Sequence, residues 1–169
     1  MKLLFALFAA LILATAAAAH HFSSGDLKIS HPYLPQPSAS ALAAAGYFGL
    51  INDGPQDERL IGIETAAAAS ATLHQSRVDD AGVASMTMID MLDIPAGATV
   101  MLEPGDIHVM FVGLTNPLTE GERVPVTLIF DHAGRVEVEF VVVAPNGHRH
   151  GSAPSSAAGS ADTTGIPGD

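Results

Sequence analysis

Four residues combine side-chain chemistry and spacing in a way that suits a metal ion: His74, Met86, His108 and Met110. Eleven residues separate His74 from Met86, 21 separate Met86 from His108, and Met110 follows two positions later. Residues i and i+2 of a strand share a face, so His108 and Met110 can converge on one point. His74 and Met86 flank the acidic turn Asp79-Asp80-Ala81-Gly82, and a hairpin there would set them side by side. Two imidazoles and two thioethers make a neutral, soft donor set. Thioether sulfur favours Cu(I) over Mg, Ca and Mn, and without a thiolate zinc is less well served. Methionine in a β core also serves as packing, and a strand histidine is often an ordinary hydrogen-bonded residue. Residue types alone leave both readings open.

The elements that must hold these residues are short and extended. Apolar, β-branched or alternating runs occur at Leu27–Ser30, Gly46–Ile51, Arg59–Glu64, Ala71–Gln75, Ala84–Met91, Thr99–Leu102, His108–Val112, Val124–Phe130 and Val136–Val143. Turn residues punctuate them at Asn52–Pro55, Asp79–Gly82, Pro95–Gly97, Pro104-Gly105 and Asp131–Gly134. Val136–Val142 alternates Val with Glu before turning wholly apolar, the pattern of a strand with one wet face. Short strands at this spacing predict an all-β fold, an antiparallel sandwich or barrel. Ala66–Ala71 is alanine-rich and reads as a possible helical turn.

Composition narrows the classes further. The 169 residues carry 7 Lys and Arg against 18 Asp and Glu, a formal charge of −11. Such a balance argues against a nucleic-acid partner. With no cysteine, disulfides, thiolate zinc sites, a thiol nucleophile, iron–sulfur clusters and the blue-copper ligand set are excluded. A lipid anchor on an N-terminal cysteine is excluded too. Residues 1–19 read as a signal peptide: Lys2, an apolar run from Leu3 to Leu13, then small residues, with cleavage expected after Ala18 or Ala19. That apolar run falls short of the roughly 20 residues needed to span a bilayer, so no stable membrane insertion is expected after cleavage. Residues 145–169 are rich in Gly, Ser, Ala and Pro and should form a disordered tail. The expected organisation is a leader at 1–19, a β-sandwich domain at 20–144 and a flexible tail at 145–169.

The stretch Thr72–Leu118 resembles the periplasmic copper chaperone family written PCu(A)C. That family's signature is His, an optional Met, ten residues, Met, 21 residues, then His-x-Met. Here it reads as His74, Gln75 at the optional position, Ser76–Ser85, Met86, Thr87–Ile107 and His108-Val109-Met110. Flanking text is similar as well: Asp79-Asp80 before Gly82-Val83, Ile94–Gly97, Glu103–Gly105, Gly113-Leu114 and Pro117-Leu118. Upstream, His31-Pro32-Tyr33 and Ala45–Phe48 look like two further family elements, so the resemblance covers about residues 26–143. It implies a cupredoxin-like β-sandwich holding Cu(I) near its surface through His74, Met86, His108 and Met110. It further implies a non-enzymatic role in the periplasm, in cytochrome oxidase assembly. Copper would pass toward the oxidase subunit that carries the binuclear copper centre, or to a Sco-type thiol protein. Met88 stands where many relatives have Pro and, two residues from Met86, is a candidate secondary ligand.

A site without thiolate has moderate affinity and ligands that exchange one at a time, as a carrier needs. Neutral imidazole is required, so affinity should weaken on acidification. His20 and His21 at the expected mature N-terminus, with His148 and His150 in the tail, suit a weaker Cu(II) site. His31, before Pro32, is expected to be structural, and His132 to be solvated in its turn. An electron-transfer cupredoxin lacks its Cys ligand here. No Gly-x-Ser-x-Gly or His-Glu-x-x-His motif supports hydrolysis. The alternative of another class is an exported β-sandwich binding module without a metal-transfer role, its His and Met serving as packing.

Overall fold

The structure, a computed structural model, describes residues 21–145. The described residues form eleven strands and no helix: β1 (His21–Ser24), β2 (Leu27–Pro35), β3 (Ala43–Asn52), β4 (Glu58–Glu64), β5 (Ala68–Val78), β6 (Ala84–Ile89), β7 (Leu92–Ile94), β8 (Thr99–Leu102), β9 (Ile107–Leu114), β10 (Arg123–Phe130) and β11 (Gly134–Val143). The all-β expectation is met. Most runs read from the sequence recur with ends extended by a few residues. The expected leader and most of the expected tail lie outside the described residues.

Three readings are corrected. Ala66–Ala71 holds no helical turn: β5 begins at Ala68, which pairs with Leu114 of β9. Sheet pairing overrides the helix preference of alanine. The run Ala84–Met91 stops at Ile89, and Leu92–Ile94 leaves β5 to pair with β4. The fold is also not wholly antiparallel, because β11 runs parallel to β2 through Val141–Val143.

Strand order along the sheet is β6-β5-β9-β3-β2-β11-β10-β4-β7, with β1 beside β2 and β8 beside β3. The joint is β3. Its first half, Ala43–Gly46, pairs with β9, and its second half, Phe48–Ile51, pairs with β8. The two wings meet over this strand and enclose one core. Phe111 of β9 and Phe48 of β3 each meet Phe140 of β11 edge-on, with ring centroids 5.6 Å apart. Phe48, Phe111, Phe130 and Phe140 are all fully buried, each contributing roughly 1.5–3 kcal/mol of apolar transfer. Gly46 makes this closure possible. A Cβ there would lie 2.7 Å from the Phe111 ring and 2.8 Å from that of Phe140, so only glycine lets both rings lie against the strand.

Alternation along β5 and β9 then decides what faces out. Leu73, Val109 and Phe111 enter the core, so Thr72, His74, His108 and Met110 take the opposite face. At the far end of the molecule Glu58 anchors the β10–β11 turn. Its nearly buried carboxylate accepts hydrogen bonds from the backbone N–H groups of Arg59, His132 and Ala133. Burial works to raise its pKa, but these bonds and the His132 ring hold it below the usual carboxylate range.

Candidate metal centre

The centre is built on three adjacent strands, β9, β5 and the edge strand β6. In the register His74 stands opposite His108, and Met110 opposite Thr72. On the other side of β5, Met88 stands opposite His74 and Met86 opposite Ser76. Directly opposed residues share a face of the sheet. His74, His108, Met86, Met88 and Met110 therefore all lie on one face.

A single turn sets half of that register. The Asp79 carboxylate accepts hydrogen bonds from Ala81 N at 3.0 Å and Val83 N at 2.8 Å, and Asp79 N donates to Val83 O at 3.0 Å. Gly82 takes a left-handed φ of 79°, which glycine adopts without a Cβ penalty. This closes the chain so that Val78 meets Ala84, and the methionines of β6 follow. The expected hairpin between His74 and Met86 is present. The expectation that it sets those two side by side is corrected: the residue beside His74 is Met88.

The two imidazoles are close and unequal. Their ring centroids are 6.1 Å apart with planes tilted by 36°. His108 is buried, 4% exposed, and its Nδ1 donates to the Asp106 carbonyl at 3.0 Å. A carbonyl only accepts, so in the neutral ring the lone pair lies on Nε2. His74 contacts Thr72 Oγ1 through Nε2 at 3.0 Å. Its Nδ1 is buried without a hydrogen-bond partner, a condition that costs about 1–3 kcal/mol and calls for an explanation. Where Nε2–H donates to Thr72, Nδ1 carries an unused lone pair, and a metal ion accepting it would remove the penalty. Among the described residues no group of three His, Cys, Asp or Glu side chains forms a metal cluster.

Exposure rises outward across the site. Met86 and Met88 are 53% and 57% exposed, Met110 is half-buried and His108 is enclosed. Gln75, at the optional methionine position of the signature, falls on the other side of β5 from His74 and bonds Asp106 and Arg77. Tyr47, expected within the Ala45–Phe48 element but not at the site, walls the inner side, its ring centroid 6.3 Å from that of His108. Tyr33 stacks behind it at 5.4 Å. Burial pushes both phenols above their ordinary pKa. The signal was present: Gly46 and Phe48 point inward, so Tyr47 between them must point out.

The other expected residues fall elsewhere. His31 has a left-handed φ of 50° and lies at an irregularity where β2 shifts register between Ser30 and Tyr33, in keeping with a structural role. His132 is exposed, and its Nδ1 lies 3.4 Å from Glu58 Oε1. His21 opens β1 opposite Ser30. His20, His148 and His150 lie outside the described residues.

Fold and site together define a cupredoxin-like β-domain with a soft His/Met face. The comparisons agree. Residues 27–142 match the family described as "Putative lipoprotein LpqE-like", and the chain belongs to this PCuAC-type family, as its signature led us to expect. Among curated proteins it is 30% identical over 104 residues to "Putative lipoprotein Lxx21020" of Leifsonia xyli subsp. xyli, covering 62% of this chain and 61% of that protein. The chain thus spans less than two thirds of that relative's length. Among solved structures, the copper-bound PCuAC domain from PmoF2 is 29% identical with a TM-score of 0.65, covering 75% of this chain and 99% of that domain. The Cu(I) form of DR1885 from Deinococcus radiodurans is 30% identical with a TM-score of 0.56, covering 79% and 86%. The family description speaks of lipoproteins, but these 169 residues contain no cysteine to carry a lipid.

Proposed function

We propose that the protein is an exported copper chaperone that binds one Cu(I) through His74, Met86, His108 and Met110. The observation that carries this reading is the register, which sets His74 opposite His108 on a face shared with the methionines. The partnerless His74 Nδ1 and the fixed tautomer of His108 support it. So do the copper-bound PmoF2 domain and the Cu(I) form of DR1885.

The physical chemistry suits a carrier rather than a catalyst. His108 anchors the ion from within, and the exposed methionines leave one side open to an acceptor. Neutral soft donors stabilise Cu(I) over Cu(II), and ligands can be replaced one at a time. Delivery is toward the cytochrome oxidase subunit that bears the binuclear copper centre, directly or through a Sco-type thiol protein. Export to the periplasm is part of this reading, supported by the leader-like sequence at residues 1–19 and by the lipoprotein description of the family. No helix among the described residues is long and apolar enough to cross a membrane.

The test is a Cu(I) titration of the full chain against a competing chelator, followed by mixing with the apo acceptor domain. The sequence has two Tyr and no Trp, so intrinsic emission comes from the tyrosines beside the site. The expected result is a change in that emission saturating at one equivalent, then loss of copper to the acceptor. Absence of stoichiometric binding would refute the reading, and retention against the acceptor would refute the delivery role.

A further inference from the structure

Met88 stands outside the four-residue spacing signature, yet it holds the better position on β6. It faces His74 directly, whereas Met86 faces Ser76 two residues away. Directly opposed side chains have Cβ atoms about 4.5–5.5 Å apart, and diagonal neighbours lie about 7–8 Å apart. Met88 thus stands directly across the strand pair from His74, while Met86 approaches that residue only on the diagonal.

Neither side chain is part of the buried core. β6 is the edge of the sheet and almost wholly exposed. Both methionines stand on the same face of it, more than half exposed, against 4% for His108. An unbranched thioether on an exposed strand samples several rotamers at little cost. The donors therefore form a graded series, from an enclosed imidazole through His74 to two sulfurs at the rim.

We propose that Met86 and Met88 are alternative thioether donors to the same Cu(I). Met88 seats the ion beside His74, and Met86 draws it toward the hairpin end of the edge strand, where an acceptor can take it. This rests on the copper-binding reading above. The exchange is redox-neutral: one Cu–S bond forms as another breaks, copper stays Cu(I), and a thioether has no proton to lose. The site thereby gains a step along its release path at which the ion always has a soft donor.

The test uses the full chain labelled with ¹³C-methyl methionine and loaded anaerobically with one equivalent of Cu(I). The methyl signals of Met86, Met88 and Met110 are expected to move while that of Met91 stays. In chelator competition, Met86→Leu and Met88→Leu should each weaken binding by less than about 10-fold, and the double variant by more than about 100-fold. That non-additivity marks two groups sharing one task. Leucine keeps the volume at these exposed positions, and an unchanged apo spectrum verifies folding. An unmoved Met88 signal with unchanged affinity of Met88→Leu, while Met86 and Met110 respond, overturns the inference and leaves the copper reading standing. No response from any of the three overturns both.

Discussion

Replacing His108 by alanine is expected to lower Cu(I) affinity by more than about 100-fold. Removing a residue that merely orients a ligand typically costs 10–100-fold, and His108 is cast here as a ligand itself. It is also the enclosed member of the set, 4% exposed, with Nδ1 tied to the Asp106 carbonyl and Nε2 left to bind. The exposed methionines cannot substitute, since neither offers nitrogen or a preset direction. Competition with a Cu(I) chelator measures the loss, and cooperative unfolding of the apo variant separates it from misfolding. Unchanged affinity in a folded His108→Ala variant would remove the residue from the site.

The second large effect is on stability. An ion that binds only the folded chain stabilises it by RT ln(1 + [L]/Kd), about 4 kcal/mol when free ion exceeds Kd by 1,000-fold. For a domain of this size that corresponds to a rise in Tm of roughly 10–20 °C. The donors come from three strands, one of them remote in sequence from the other two, so no short unfolded segment carries the whole set. His74 and Met88 are joined through the short Asp79 hairpin, but His108 and Met110 come from β9, a distant pairing. Thermal melts with and without Cu(I) should show the rise, and His108→Ala should cut it to about a third or less under the same conditions. A melt indifferent to Cu(I) in the parent chain would show that the ion does not bind the folded site.

The sequence made the fold class legible because strand alternation and turn chemistry are local. Val136, Val138, Phe140 and Val142 alternate inward as their spacing implied, and Asp79–Gly82 closes a hairpin. His108 and Met110 on one face followed from period two alone. Pairing partners were not legible. The sequence held no sign that β11 would run parallel to β2, or that β1 would form beside it.

Register was the costliest omission. Spacing pointed to Met86, but the residue set beside His74 depends on how the Asp79 turn closes. A shift of one residue would have sent both methionines to the other face. Tyr47 and the Asp106 carbonyl were likewise invisible as neighbours of His108, since contact across strands is a property of the assembled sheet.

The central claim is that one Cu(I) is held by imidazole nitrogen and thioether sulfur together. X-ray absorption of the stoichiometric Cu(I) complex tests it most directly. The expected spectrum has the edge of Cu(I), multiple scattering from imidazole and a distinct sulfur shell, with the imidazole contribution reduced in His108→Ala. A first shell of nitrogen and oxygen alone, or of sulfur without imidazole, would contradict the account.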